Sequence, residues 1–346
     1  MSAQDRTLDR YQELMQINAA SHVLRAAREV GLFDALRTGQ KTVPQLAETL
    51  GLRPEGLSLL VDCLISMNVI ERYEEDHALA PVMQLLCQYD GDLGDLAWQR
   101  LATQLRASSD ADSPTVTRDY LEALAATQWV HTPAAMQVAE MLDLPGNPEI
   151  PPASDVALAA GASPPADLAG PPLRILDLGC GSAVWSSAMA YRDGRATVLA
   201  VDAAPSLAAA RSTAESIQLG SRFQTEVGDP ESIELPEAGF DLIVIAQRLH
   251  AATPQGRDRL LDQARRALAP GGRIVLIDLF RGPARPRLSE TIEALRVHVA
   301  APLGGVQSAE ELRQRLLARG LSDIRFTFIA ASRVNLGMIV AAVGDR

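Results

Sequence analysis

The sequence predicts a mostly helical winged-helix module followed by an α/β domain built on a parallel sheet that closes with an antiparallel strand. Three observations carry this expectation. From Leu173 onward, short apolar runs alternate with stretches of helical periodicity. The first eighty residues read helix, turn, helix, hairpin. Between these parts, residues 145–172 are rich in Pro, Ala and Gly and carry no hydrophobic period, which reads as a linker or insertion. The expected organisation is therefore 1–92, winged-helix-like; 93–144, a helical connector; 145–172, linker; and 173–346, the α/β domain.

The N-terminal elements follow from local chemistry. Leu14, Ile17, Val23, Leu24, Ala27 and Val30 recur at helical spacing and stop at Gly31. Thr42 and Gln45 have the spacing of a capping box, with Pro44 in the first turn. Leu46, Ala47 and Leu50 continue that helix to Gly51. A second helix spans about Pro54 to Met67, and residues 69–80 alternate like a hairpin. A winged helix suggests DNA, but the charge opposes it. Residues 1–90 hold eight Lys/Arg against thirteen Asp/Glu, and the would-be reading helix 54–67 has no Lys or Arg. The module is better suited to packing against a second copy, with Leu57, Leu60 and Leu64 as candidate packing residues.

Whole-chain composition points the same way. A net charge of -11 argues against nucleic-acid and anionic-membrane partners. Cys63, Cys87 and Cys180 are too far apart for a C-x-x-C zinc or disulfide motif. The polar N-terminal stretch lacks a secretory apolar segment, and no apolar run spans a bilayer, so a cytoplasmic protein is the expectation.

In the second half, strands are expected at 173–178, 196–201, 222–227, 240–246 and 272–279, with helices at 204–219 and 256–269 among others. Continuous apolar strands joined by helices imply a parallel sheet covered on both faces. Strands 322–330 and 335–342 follow each other directly and should pair antiparallel. The chemistry starts at Asp177-Leu-Gly179-Cys180-Gly181-Ser182-Ala183, directly after the first of these strands. Glycines there let a ligand approach the backbone and leave helix N–H groups free. Asp202 ends the next strand and is suited to the two ribose hydroxyls of an adenosine. A nicotinamide fingerprint would need glycine at position 184, where valine stands.

The segment resembles motif I of class I S-adenosylmethionine-dependent methyltransferases, D/E-x-G-x-G-x-G, with Asp177, Gly179 and Gly181 matching and Ala183 in place of the third glycine. The resemblance continues through Asp202, Val227-Gly228-Asp229, Phe240-Asp241-Leu242-Ile243-Val244 and Leu268-Ala-Pro270-Gly271-Gly272. With the winged helix, the chain resembles the dimeric small-molecule O-methyltransferases of plant caffeate and bacterial polyketide type. That resemblance implies a Rossmann-like methyltransferase sheet, S-adenosylmethionine as cofactor and a homodimer through the N-terminal domain. It implies a small natural-product hydroxyl, phenol-type, as acceptor. It places Asp177, Gly179, Cys180, Gly181, Asp202, Asp229, Pro230 and Ala246 around the cofactor.

The same resemblance makes His250 the base that deprotonates the acceptor and Asp278 its flanking acid. A histidine suits proton removal near neutral pH. A second flanking acid of the family corresponds to Val306, with Glu310 and Glu311 close by, and Ala251-Ala252 replace the family's Asp-Trp. Carbon or nitrogen acceptors, or a cofactor-binding protein without transfer, remain alternatives at this stage. No His/carboxylate cluster suggests a metal. Cys180 reads as a small filler, Trp185 as packing, and Trp129 and Met136 as core rather than roof. His298 reads as a surface histidine, and His22, His77 and His131 carry no motif.

Overall fold

The computed structural model describes residues 3–83, 98–99, 101–106, 113–144, 171–281 and 288–343. The chain divides into two compact units, Met1–Leu96 and Ala97–Arg346. Of the expected linker, residues 145–170 lie outside the described residues.

The first unit holds α1 (Ala3–Glu29), α2 (Leu32–Arg37), β1 (Lys41–Thr42), α3 (Val43–Leu50), α4 (Pro54–Ser66), β2 (Ile70–Tyr73) and β3 (Asp76–Leu79). The capping box forms: the Thr42 hydroxyl accepts from Gln45 N–H, and the Gln45 carboxamide accepts from Thr42 N–H. The hairpin β2–β3 gains a third strand, β1, in a sheet of order β1-β3-β2. Leu57 and Leu64 were expected on a packing surface. They are instead enclosed in this unit's own core with Leu32, Leu46, Val61 and Ile70, because α4 turns that face inward onto α1 to α3. Among the described residues of this unit, the exposed large apolar side chains are Leu8, Tyr11, Leu14, Met15 and Ile17 of α1, with Leu59, Tyr73 and Val82 elsewhere.

The second unit begins with α5 (Leu101–Gln104), α6 (Ser113–Thr127), a 3-10 turn Gln128–His131 and α7 (Thr132–Met141). Then come β4 (Arg174–Leu178), α8 (Val184–Arg192), β5 (Thr197–Asp202), α9 (Ala204–Ser216), a 3-10 turn Gly220–Arg222, β6 (Phe223–Val227) and β7 (Phe240–Ala246). The chain continues through α10 (Pro254–Ala267), β8 (Leu268–Arg281), α11 (Leu288–Ala300), β9 (Gln307–Ser308), α12 (Ala309–Leu317), β10 (Leu321–Phe328) and β11 (Leu336–Val343). The sheet order is β10-β11-β8-β7-β4-β5-β6. β4 to β8 run parallel, and β10 and β11 are antiparallel.

The apolar runs are continuous because both faces are buried. Ile175, Leu242, Val244, Val275 and Ile277 enter one core with α7, α8 and α9. Their neighbours Leu176, Ile243, Ile245, Ile274 and Leu276 enter the other, with α10 and α12. This is the two-residue period of a strand written into both layers. The chain order reverses at β4, between β5 and β7, so the crevice at the carboxyl ends of these strands is where such a sheet receives ligands. Trp185, the first large side chain after the glycine loop, is fully buried on this layer. Trp185→Ala is expected to destabilise the second unit by about 3–5 kcal/mol, measured as a shift in its denaturant unfolding transition.

Candidate active site

The loop after β4 is shaped by three residues with left-handed backbone: Gly179 (φ 77), Gly181 (φ 55) and Ala183 (φ 54). Two are glycines, which hold this conformation freely. Ala183 holds it as a strained residue, fixed because its N–H donates to the Cys180 carbonyl at 2.8 Å. The loop is tied to the next strand through Asp202. One carboxylate oxygen of Asp202 accepts from Gly181 N–H at 2.9 Å and the other from Ala203 N–H at 2.7 Å. Each oxygen keeps a lone pair, enough for two further hydroxyl donors.

Asp202 also lines a cavity of about 620 Å³, the size range of small-molecule sites. Val227, Gly228, Asp229, Pro230 and Arg248 share its wall, with Leu121 and Ala251 among the facing residues. Asp229 does two jobs there. It caps its own turn, accepting from Glu231 N–H and the Ser232 hydroxyl, and it lines the cavity.

Asp177, Gly179, Cys180, Gly181 and Ala246 do not line this cavity. The loop is covered: a methyl group on Gly179 would meet the Arg248 side chain, and one on Gly181 would clash with the Gln128 carboxamide. Cys180 and Ala246 are buried in the core, and burial raises the Cys180 thiol well above its ordinary value.

Asp177 is fully buried. One oxygen accepts from the Ser186 hydroxyl at 2.5 Å, and the other has no partner among the described residues. Burial pushes its carboxyl up to about 7, with the Ser186 bond opposing and the Asp202 charge adding to the rise. Arg248 Nε is likewise buried without a partner. An unmatched acid and an unmatched guanidinium donor beside one glycine loop fit a ligand carrying both an ammonium and a carboxylate.

His250 and Asp278 come together as expected. Asp278 Oδ1 is 2.5 Å from His250 Nδ1 and accepts from Leu279 N–H, while Oδ2 accepts from the His250 N–H at 3.1 Å. Both residues are 2% exposed. A neutral imidazole that donates Nδ1–H to the carboxylate carries its lone pair on Nε2. The His250 carbonyl accepts from Gly305 N–H, and buried Arg257 ties Leu249 O to Gly305 O, so the loop after β7 is clamped from both sides.

The second flanking acid is not formed from Glu310 or Glu311. Glu311 closes a capping box with Ser308, and Glu310 pairs with Arg313 and Gln314. The group that meets Nε2 is Tyr120, whose hydroxyl lies 2.8 Å away.

Sequence reasoning missed Tyr120, Gln128, Gln247 and His131. Ser182 N–H donates to the Gln128 carboxamide, which donates to Gln247, and Gln247 meets Trp185 Nε1 and His131. His131, read as carrying no motif, is buried and stacks on Trp185. Gln247 sits at φ 53, a strained position at the carboxyl edge of the sheet, and only that position could have drawn notice. Trp129, expected in the core, is instead exposed at 38%, whereas Met136 packs against the core and His298 is exposed as expected.

Residues 175–272 match the methyltransferase domain family, and residues 12–86 match the O-methyltransferase dimerisation domain family. The chain belongs to the O-methyltransferases that carry this N-terminal dimerisation domain. A demethylspheroidene O-methyltransferase of Cereibacter sphaeroides is 25% identical over 91% of this chain and 82% of its own length. A 3-amino-4-hydroxybenzoate 4-O-methyltransferase of Streptomyces cremeus is 25% identical over 88% of this chain and 82% of its length. The solved mitomycin 7-O-methyltransferase has the same fold, with TM-score 0.72 at 20% identity and 99% of each chain covered. Human N-acetylserotonin methyltransferase, solved with S-adenosylmethionine, has TM-score 0.67 at 18% identity, covering 100% of this chain and 99% of that one. Among the described residues of this O-methyltransferase no cluster of metal-ligating side chains is gathered, and no helix is long and apolar enough to cross a membrane.

The raised Asp177 carboxyl has a pH signature. Folding favours its protonated form, so its contribution to stability is present at low pH and is lost as pH rises from near 4 through about 7. Asp177→Asn removes this dependence. Its unfolding midpoint, set against that of the unmodified chain, should rise between pH 5 and pH 8; parallel melting profiles would show that the carboxyl titrates normally.

Proposed function

We propose that this O-methyltransferase moves the methyl group of S-adenosylmethionine to a hydroxyl of a small molecule, with His250 taking the proton. The observation that carries the reading is the Asp278–His250 pair. It leaves a basic lone pair on Nε2 at the same sheet edge where Asp202 faces the cavity. S-adenosylmethionine, when bound, supplies a methyl group already made electrophilic by its sulfonium.

The chain's own residues divide the remaining work. Asp202 would hold the ribose hydroxyls with its spare lone pairs. Asp177 and Arg248 would match the amino-acid end beside Gly179 and Gly181, with Cys180 contributing backbone. Asp229 and Pro230 would border the adenine, and Ala246 would back the site from the core. Asp278 fixes the His250 tautomer through the side chain and its orientation through the backbone N–H. His250 Nε2 then removes the acceptor's hydroxyl proton as the oxygen forms its new bond, a role worth about 10²–10⁴ in rate. In-line displacement otherwise needs positioning, which the clamped loop after β7 provides.

The domain arrangement we assign is a methyltransferase domain from 173 onward and a dimerisation module over 1–92. A second copy would cover the exposed α1 residues Tyr11, Leu14, Met15 and Ile17, which is supported by the dimerisation-family match over 12–86.

Titration calorimetry with S-adenosylmethionine and its demethylated product tests the reading. Saturable binding is expected, weakened about 10-fold or more by Asp202→Asn through the loss of charge-assisted hydrogen bonds. His250→Ala should bind normally. Absence of binding at millimolar ligand would reject the assignment.

A further inference from the structure

The base is already engaged. With Nδ1 committed to Asp278, Nε2 is the one position on His250 from which a proton can be taken up, and the Tyr120 hydroxyl occupies it at 2.8 Å. Burial holds the Tyr120 phenol well above its ordinary pKa, so the hydroxyl stays protonated and donates. The Tyr120 ring is 9% exposed and meets the imidazole edge-on, with centroids 5.7 Å apart and planes at 70°. The Arg296 guanidinium lies over the other part of this slot, 5.6 Å from the ring centroid, and is held there by two hydrogen bonds to Glu293. Ala251, Ala300 and Ala301 cluster with the ring, and Leu121 and Leu124 of its own helix pack against that cluster.

These surroundings describe a binding place for a phenol. A lone pair receives its hydroxyl, a cation caps its ring, and alanines leave room for the ring itself. We propose that Tyr120 is a displaceable internal stand-in for the acceptor. The substrate is a phenol whose ring takes the Tyr120 position between Arg296 and the alanines, with its hydroxyl on His250 Nε2. This inference rests on the reading of His250 as base.

Exchange of one phenol for another replaces a hydrogen bond by a like bond, so the net cost on the His250 side is small. The same segment holds a second place. Gln128, in the turn that follows α6, takes the Ser182 N–H and covers Gly181. One stretch, Ser113–His131, therefore occupies both the base and the glycine loop, and both are released if it moves outward.

In the step that follows, the phenolic oxygen forms a bond to the methyl carbon as the carbon–sulfur bond breaks. The electron pair of that bond stays on sulfur, leaving a neutral thioether. The phenolic proton ends on Nε2, and the products are an aryl methyl ether and an imidazolium paired with Asp278.

The test uses the full chain with Tyr120→Gly, p-cresol as the probe and methyl-labelled S-adenosylmethionine. The glycine opens a slot of the probe's own shape. We expect p-cresol to raise the unfolding midpoint of Tyr120→Gly and to emerge as labelled 4-methylanisole at least 10-fold faster than with the unmodified chain. Adding His250→Ala should keep the stabilisation and lower the product about 10²-fold or more. Stabilisation by p-cresol with the cofactor bound, shown by calorimetry, but with no labelled product would overturn the proposal, because the slot would then not face the methyl group. Absence of cofactor binding to the unmodified chain would instead reject the methyltransferase reading beneath it. Should Tyr120→Gly not fold, Tyr120→Phe keeps the ring and removes only the hydroxyl. Carbethoxylation of His250 by diethyl pyrocarbonate is then expected to accelerate about 10-fold as Nε2 is freed, the equivalent of one ordinary hydrogen bond. An unchanged rate would overturn the proposal.

Discussion

The bond between Asp278 and His250 joins the ends of two adjacent parallel strands. β8 delivers the carboxylate and the loop after β7 delivers the imidazole, and the carboxylate takes both the ring N–H and the backbone N–H of the same histidine. A buried carboxylate without partners would be costly. Asp278 answers this by accepting three hydrogen bonds, counting Leu279 N–H. The histidine is thereby fixed in tautomer and in direction. The loop around it is then clamped by Gly305 and Arg257, and the remaining ring nitrogen meets the Tyr120 hydroxyl.

A second carboxylate organises the other half of the site on the same principle. Asp202 ends β5 and accepts from the loop after β4, so strand pairing in the sheet is what brings Gly181 to it. The two acids differ in what they leave over. Asp278 is saturated by the protein, whereas Asp202 keeps lone pairs and lines a cavity. Asp177 and Arg248 leave over more still, one unpartnered oxygen and one unpartnered N–H, both buried. Unmatched polar atoms of opposite kind are a cost in the chain alone that a zwitterionic ligand removes.

Much of the second unit was legible in the sequence because burial on both faces leaves an unmistakable pattern. Every residue from Leu242 to Ala246 is apolar, and each is buried on one face or the other. The antiparallel β10–β11 pair was readable from two strands without a helix between them. His250 and Asp278 could be read because they sit at strand ends, where a sheet presents its ligands. What escaped was everything that depends on α6 and the turn after it. Tyr120 lies 130 residues from His250, and Gln128 lies 54 from Ser182 and 119 from Gln247, in a helix and turn whose sequence carries no motif. The small third strand β1 was missed because two residues carry no period. The packing face of α4 was misassigned because apolar spacing states that a face is buried and not what buries it. Leu57 and Leu64 met their own domain, while α1 kept Leu14 and Ile17 uncovered.

The central claim is that His250 presents an unprotonated Nε2 with Nδ1–H locked to Asp278. Long-range nitrogen–proton NMR on histidine-labelled protein reads this directly. At pH 8 the account predicts a protonated, pyrrole-type Nδ1 and an unprotonated, pyridine-type Nε2 for His250, with the preference lost in Asp278→Asn. A proton on Nε2 in the unmodified chain, whether as the other tautomer or on both nitrogens, would contradict it.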